Sequence, residues 1–350
     1  MCFGEGAQVV PSEVRRYADA TTEFTVARLT DPAHQSWLPA PHQRGVSRRG
    51  NFLLYASGRS GSVQAYQMDL KSGESRVLTD VRDLVPESLS LSVDERNFYY
   101  VADRSLYIAS LSTRHARQAY RAGDDSELAR SFGYSEDGLY AGLIEQKAGR
   151  KQLRLVSLRA GVATTLAESD DAISDPLPRP RRAGMLYRRA GEPWLVNFDG
   201  AQNRRLRVAV GITGQTLWSA DGRSVLYLNF PSDTKQLNSI RELVPDSGED
   251  RLVSPTSQFV SFNRNGDSSV LVGASGNRGA PYILLLVRSV KRELALCEHR
   301  ASDPRLVTAA FSPNSQRVFF QSDRDGKMAI YTIAVDRLVE ETESEERDKA

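Results

Sequence analysis

A strand-turn-strand pattern occurs seven times along the chain of 350 residues, and this repeat constrains the fold more than any other feature. In the copy at residues 309–335, an apolar strand leads into a Ser-Pro-Asn-Ser turn, a second apolar strand follows, and an Asp-Arg-Asp-Gly turn precedes a third strand. The equivalent first turns lie at residues 47–50, 92–95, 135–138, 181–184, 219–222, 263–266 and 312–315. The chain is therefore predicted to be all-β and built from seven copies of one module.

The spacing of these modules indicates their architecture. The last residues of successive first turns are 38 to 49 positions apart, and a period of about 40 to 50 residues with about four short strands is typical of a β-propeller. The last module runs out of sequence after its third strand, whereas residues 24–30 read as an outer strand with no module of their own. We therefore predict a seven-bladed β-propeller closed by this N-terminal outer strand.

A closed propeller is one structural unit, so the chain is expected to contain a single folded domain. We predict an N-terminal arm at residues 1–21, the seven-bladed propeller at residues 22–336, and an acidic C-terminal tail at residues 337–350. The tail is interpreted as a solvated segment because its carboxylates lie close together.

Charge and cysteine content limit the possible partners and location. Lys plus Arg number 46 and Asp plus Glu 44, a net charge of +2 that favours neither nucleic acid nor an acidic membrane. The arginine-rich segment at residues 179–182 is expected to be a solvated blade edge. Cys2 and Cys297 cannot build a disulfide framework, and the first ten residues lack the basic and apolar regions of a leader, so a cytoplasmic location is predicted.

In a propeller, the links from each outer strand to the next innermost strand meet at one mouth of the central channel. Ligands are expected there, because loops on a rigid scaffold carry most binding residues. The candidate ligand-binding residues on these links and beside them are His34, Gln35, Trp37, His42, Gln215, Arg241, Gln258, Glu298, His299, Arg300 and Asp303.

The densest polar cluster runs from Glu298 to Asp303. It offers an acid, a base, a cation and an acceptor within six residues, which suits an anionic sugar or a peptide. His299 and Glu298 are the candidate catalytic residues. A hydrogen-bonded linker that fixes blade packing explains the cluster equally well. No Gly-x-Ser-x-Gly elbow, Walker loop, Cys-x-x-Cys or His-Glu-x-x-His motif occurs, and the residues themselves predict no metal or cofactor.

Three strings at residues 26–31, 65–79 and 311–331 resemble the oligogalacturonate lyase family and the wider group of TolB-type, WD40-like propellers. They are Val-Ala-Arg-Leu-Thr-Asp, the segment that opens Ala-Tyr-Gln-Met-Asp, and the segment that opens Phe-Ser-Pro. The resemblance covers nearly the whole chain. It implies a seven-bladed propeller active in pectin degradation, with a manganese-type ion held by histidines and a glutamine, a histidine that removes the proton α to the uronate carboxylate, and an arginine that binds this carboxylate.

The sequence departs from the family at the residues that would carry the chemistry. The family's His-Pro-His-Pro string corresponds here to Leu306, Val307, Thr308 and Ala309, and the other histidine positions correspond to Gln215 and Phe259. Leu and Phe cannot ligate a metal, and Gln cannot act as a base near neutral pH. The expectation is that the fold is retained and that the metal site and base are missing.

Three hypotheses follow. The first is a catalytically silent or altered propeller that binds an anionic oligosaccharide or a protein segment at the channel mouth. The second is an active lyase, with manganese, whose relocated site uses His34, His42, His299, Glu298 and Arg300. The third is a TolB-like protein-interaction scaffold.

Overall fold

Seven antiparallel sheets form the chain, one for each predicted module. The computed structural model describes residues 9–233, 235–256, 258–340 and 342. The strands of the first half are β1 (Val9–Val10), β2 (Arg15–Ala18), β3 (Thr25–Arg28), β4 (Ser36–Trp37), β5 (Phe52–Ser57), β6 (Gln64–Asp69), β7 (Ser75–Val77), β8 (Val85–Leu91), β9 (Asn97–Ala102), β10 (Ser105–Ser110), β11 (Ala116–Arg121), β12 (Ser126–Leu128), β13 (Gly133–Tyr134), β14 (Tyr140–Lys147), β15 (Arg150–Ser157) and β16 (Ala163–Ser169).

The second half continues the same order and contains one short 3-10 helix, Pro304–Leu306. Its strands are β17 (Ile173–Pro178), β18 (Gly184–Arg189), β19 (Glu192–Asn197), β20 (Arg204–Arg205), β21 (Ile212–Trp218), β22 (Val225–Phe230), β23 (Ser239–Val244), β24 (Glu249–Pro255), β25 (Phe259–Arg264), β26 (Val270–Ser275), β27 (Tyr282–Val287), β28 (Arg292–Glu298), β29 (Ala309–Phe311), β30 (Arg317–Ser322) and β31 (Ala329–Ala334).

Each sheet is one blade of a ring, which confirms the predicted seven-bladed β-propeller. Blade 1 contains β4 to β7, blade 2 β8 to β11, blade 3 β12 to β16, blade 4 β17 to β20, blade 5 β21 to β24, blade 6 β25 to β28, and blade 7 β29 to β31. A separate buried apolar cluster lies between every pair of neighbouring blades. The core is therefore a ring of seven interfaces, and each blade is stabilised by both of its neighbours.

Strand β3 closes the ring, as the sequence predicts. It pairs with β31 in antiparallel register, with Val26 opposite Ile333, and the side chain of Val26 is fully buried. Strand β2 then adds a fifth strand outside β3, and β1 pairs with β7 of blade 1. Residues 9–18 of the predicted arm thus run along blades 1 and 7. In the predicted tail, Val339 packs into the cluster between blades 6 and 7, whereas residues 341 and 343–350 lie outside the described residues.

The Ser or Asn that opens the first turn in every blade except blade 4 has a structural role. In six of the seven turns its side-chain oxygen accepts a hydrogen bond from the backbone N–H five residues later, at 2.9 to 3.1 Å. This bond fixes the entry into the second strand. The sixth turn occupies residues 265–268, two positions later than predicted, because Asn265 and not Asn263 makes this bond.

Blade 4 has Arg179 where the other blades have Ser or Asn, and the prediction of a solvated edge is wrong for this residue. Arg179 is buried, its Nε donates to the carbonyl of Gly222 at 2.7 Å, and its two Nη groups donate to the carboxylate of Asp246 at 2.9 and 3.0 Å. The guanidinium also lies 5.1 Å from the centre of the Trp218 ring. Arg179 therefore ties blade 4 to blade 5.

No helix among the described residues is long and apolar enough to cross a membrane.

Breaking the ring closure should destabilise the whole propeller. Val26→Asp places a carboxylate in the fully buried position of β3, and we expect the free energy of unfolding to fall by about 3 kcal/mol or more. Thr25→Asp changes the exposed neighbour on the same strand and should alter it by less than about 0.5 kcal/mol. Denaturant unfolding of both variants measures the difference. Equal stability of the two variants would contradict the closing role of β3.

The bond between Arg179 and Asp246 should contribute stability that depends on pH. The hydrogen bonds from Arg179 hold the pKa of Asp246 below its usual range, so the contribution is present above about pH 4 and is lost as the pH falls through the lowered pKa. Asp246→Asn should cost about 1 to 2 kcal/mol at pH 7 and progressively less in acid. Asp170→Asn, at a carboxylate 88% exposed, is the control and should change little. A loss that persists unchanged at low pH would contradict this assignment.

Candidate functional site

The channel has two chemically distinct ends. The links arrive at one end, here called the link mouth, and the first turns converge at the other end, here called the turn mouth. Between the two ends run the innermost strands β4, β8, β13, β17, β21, β25 and β29. Each sequence-predicted residue can be located relative to these two ends.

A loop enters the channel directly after β4, and we call residues 38–46 the plug loop. On one side the backbone N–H of Ala40 donates to the carbonyl of Glu87, and the carbonyl of Arg44 accepts from Leu91 at 2.8 Å. On the other side Asn263 donates its side-chain amide to the carbonyl of Pro41 at 2.5 Å. The plug loop therefore crosses the channel and connects blade 1 with blades 2 and 6.

His42 belongs to the plug loop, so the prediction that it lies on a link is wrong. The innermost strand of blade 1 is only two residues long and already ends at Trp37. The ring Nε2 lies 2.6 Å from the carbonyl of Phe132. Because a carbonyl only accepts, Nε2 carries the proton and Nδ1 keeps its lone pair. Although His42 is exposed to solvent, desolvation by the surrounding blades lowers its pKa, partly opposed by the Phe132 carbonyl and by Asp175, and the imidazole is neutral at pH 7.

His299, the first candidate base, is fully buried and has no free ring nitrogen. The backbone N–H of Ala301 donates to Nδ1 at 3.1 Å, so Nε2 carries the proton and donates to the carbonyl of Ser275 at 2.9 Å. Burial lowers the pKa of His299 and keeps it neutral. The ring fastens the last link to blade 6 and cannot take a proton from a ligand.

Glu298 and its neighbours fasten the N-terminal hairpin to the propeller. Asp19, in the turn between β2 and β3, accepts a hydrogen bond from the backbone N–H of Glu298 at 3.1 Å. The hydroxyl of Thr21 donates to the carboxylate of Glu298 at 3.0 Å. The remaining carboxylate oxygen pairs with Arg300. This arrangement matches the linker interpretation of the cluster. Asp303 caps the 3-10 helix and pairs with Arg305.

The other predicted site residues are mostly engaged in the framework, and the structure does not gather them into one site. The carbonyl of Gln35 accepts from Gly58, and the backbone N–H of His34 donates to the carbonyl of Asp31. The remaining residues have these contacts: Trp37 packs against the apolar cluster between blades 1 and 2, Gln215 accepts from the backbone of Phe262 at 3.1 Å, Arg241 pairs with Asp250 at 3.0 Å, and Gln258 accepts from Ser275 at 3.1 Å.

Four polar residues that the sequence did not single out lie together at the link mouth, and we call them the mouth cluster. Arg130 Nη2 lies 3.1 Å from a carboxylate oxygen of Glu87, and both side chains are well exposed. Ser131 Oγ accepts from the backbone N–H of Asp175 at 2.9 Å and lies 3.4 Å from its carboxylate. The predicted links did include residues 130, 131 and 175, but nothing local in the sequence shows that blades 2, 3 and 4 bring these groups together.

The manganese site implied by the resemblance does not fit the residues at the positions predicted to correspond to it. Phe259 is fully buried in the cluster between blades 5 and 6, and Val307 is buried in the next cluster. The amide oxygen of Gln215 already accepts from Phe262. Within the described ranges, no group of three or more His, Cys, Asp or Glu could hold a metal ion.

Comparison with known proteins agrees with this fold. No family model matches the chain. The oligogalacturonide lyase of Pectobacterium atrosepticum is 24% identical, over 93% of this chain and 97% of the relative. A solved oligogalacturonate lyase in complex with manganese superposes with a TM-score of 0.88 at 21% identity, covering 94% and 97% of the two chains. A TolB structure from Agrobacterium tumefaciens is more distant, with a TM-score of 0.51, 15% identity, and 74% and 93% coverage. The chain is thus an oligogalacturonate-lyase-like seven-bladed β-propeller, as the resemblance predicts.

Proposed function

We propose that the chain binds an acidic oligosaccharide at the link mouth and does not cleave it. One observation carries this proposal. The positions that we predict to correspond to the metal ligands and the base hold Phe259 and Val307, which are buried in the core, and Gln215, whose amide oxygen accepts a hydrogen bond from Phe262. The scaffold of the lyases is present, but Phe and Val side chains cannot bind a metal, and a Gln amide cannot act as a base near neutral pH.

The chemistry of β-elimination explains why these residues matter. The proton α to a uronate carboxylate is weakly acidic, because its removal adds charge next to a group that is already negative. An enzyme must therefore neutralise the carboxylate and place a base within hydrogen-bond reach of the proton. Here His299 has both ring nitrogens in use. A propeller lacking these groups can still bind the acid.

The mouth cluster offers partners of the right chemistry for such a ligand. Arg130 is 66% exposed, and its ion pair with Glu87 is open to solvent. Exposed pairs contribute only about 0 to 1 kcal/mol, so Arg130 can exchange Glu87 for a ligand carboxylate at small cost. Ser131 and Asp175 provide hydroxyl and carboxylate oxygens that can bind sugar hydroxyls.

A lyase with a relocated base is the second candidate, and His42 is the observation that favours it. Its neutral ring keeps a lone pair at Nδ1, and Asp175 of the mouth cluster is near enough to affect its pKa. A relocated lyase site would still lack a metal ion to neutralise the uronate carboxylate. Binding without cleavage is therefore the first candidate.

The two candidates differ in one direct measurement. The chain is incubated with oligogalacturonides, with and without Mn²⁺, while the ultraviolet absorbance of unsaturated uronate and the thermal unfolding temperature are followed. We expect no growth of absorbance and a raised unfolding temperature, because a ligand that binds only the native state stabilises it. Growth of absorbance that His42→Gln abolishes would establish the relocated lyase instead. Absence of any stabilisation would leave a protein-interaction scaffold.

The role of Arg130 is tested by substitution. Arg130→Gln removes the cation and should weaken binding of oligogalacturonide about tenfold, the loss of one charge-assisted hydrogen bond. Arg223→Gln is the matched control, because Arg223 is 80% exposed in a turn at the opposite end of the channel, and it should bind as the parent does. Calorimetric titration gives both affinities. Unchanged binding by Arg130→Gln would move the ligand away from the mouth cluster.

A further inference from the structure

A cavity lies at the turn mouth, on the opposite side of the plug loop from the links. Its volume is about 440 Å³, within the range of small-molecule sites. Its lining includes the ends of several innermost strands, the first turns and the plug loop, with apolar walls from Trp218 and Phe311. Arg44, Arg264 and Glu136 also line it, and these three residues give the cavity a specific chemistry.

The two arginines are held by carbonyl groups. Arg264 donates its Nε to the carbonyl of Trp218 at 2.7 Å and one Nη to the carbonyl of Asn265 at 3.1 Å. Arg44 donates one Nη to the carbonyl of Glu136 at 3.0 Å. Among the residues that the structure describes, neither guanidinium has a carboxylate within 4.0 Å. Both cations are thus fixed in place, while the other N–H groups remain available to a ligand anion.

Glu136 supplies the opposite kind of group. Its Oε2 is buried and has no hydrogen-bond partner in the described part of the chain. The carboxylate interacts electrostatically with both Arg44 and Arg264. A buried carboxylate oxygen without a partner costs free energy unless a donor reaches it. The arrangement therefore calls for a ligand that brings donors as well as an anion.

We propose that the turn-mouth cavity is a binding site for a small monocarboxylate that carries hydroxyl groups, such as a sugar acid. The carboxylate lies between Arg44 and Arg264, and a ligand hydroxyl donates to Glu136 Oε2. The charged residues of the lining are three arginines and two glutamates, Arg44, Arg48, Arg264, Glu95 and Glu136. They leave one positive charge, which a single carboxylate balances. A dianionic phosphate would bring a second negative charge next to Glu136. Trp218 provides an apolar wall for the carbon face of the ligand. This site is independent of the function proposed for the link mouth.

Three probes of similar size separate these contributions. The full chain is titrated calorimetrically with galacturonate, with cyclohexanecarboxylate, which has the anion without hydroxyls, and with galactose, which has hydroxyls without the anion. Galacturonate is expected to bind at least about tenfold more tightly than either. Tighter binding of galactose 6-phosphate than of galacturonate would overturn the monocarboxylate assignment.

Substitutions then locate the site. Arg44→Gln and Arg264→Gln should each weaken galacturonate binding about tenfold. Glu136→Ala should reduce the preference for galacturonate over cyclohexanecarboxylate. Arg305→Gln, at an arginine 80% exposed on the last link, should bind galacturonate as the parent does. Thermal unfolding shows whether each variant is folded. If Arg264→Gln is unstable, the single variants Arg44→Gln and Glu136→Ala still locate the site.

The substitutions can overturn the proposal in two ways. Unchanged binding in both Arg44→Gln and Glu136→Ala would remove the cavity as the site, and weakened binding in Arg130→Gln would assign the ligand to the link mouth. Thr342 lines the cavity, and the acidic residues of the chain's own tail follow it. A chain truncated after Thr342 is therefore included. Binding by the truncated chain alone would identify the tail as the occupant in place of an external ligand.

Discussion

The pairing of β3 with β31 is the interaction on which the rest of the structure depends. Without this pairing, β31 is an open edge of blade 7, and Val26 no longer covers the apolar cluster between blades 6 and 7. Each blade is stabilised only by its two neighbours, so opening one interface loosens the whole ring. The channel exists only when the ring is closed. Both the mouth cluster and the turn-mouth cavity collect residues from blades far apart in sequence, and their geometry therefore follows from this strand pair.

Most of the fold could be predicted because its determinants are local. Turn residues and alternating apolar residues determine structure through contacts within five or six positions along the chain. The hydrogen bond that the backbone N–H of Phe52 donates to the hydroxyl oxygen of Ser47 is an example. Errors arose where a tertiary contact replaced the local one. Arg179 has the composition of a solvated edge, but Asp246 and Trp218 of blade 5 pair with it and bury it. A single sequence does not show which acid will meet which arginine across blades.

The site was harder to predict for the same physical reason. The cluster from Glu298 to Asp303 is dense in sequence, yet its side chains point to different partners, and Asp19 from the other end of the chain fixes the first of them. His42 was assigned to a link because nothing in the sequence reveals that β4 stops after two residues. Ser131 and Asp175 lay on the predicted links, but their meeting requires blades 3 and 4 to be adjacent. Proximity across blades, and not along the chain, creates the site.

The energetics of the core favour apolar residues at the positions predicted to correspond to the lyases' metal ligands. Phe259 and Val307 fill space between blades that a polar metal ligand would occupy at a cost. Burying a large apolar side chain stabilises the fold by roughly 1.5 to 3 kcal/mol, so such residues strengthen the blade interfaces. The exposed residues of the link mouth contribute little to this core, and they can bind a ligand without loss of stability. The fold therefore constrains the interfaces between blades strongly and the two channel mouths weakly, and function can change at the mouths while the ring persists.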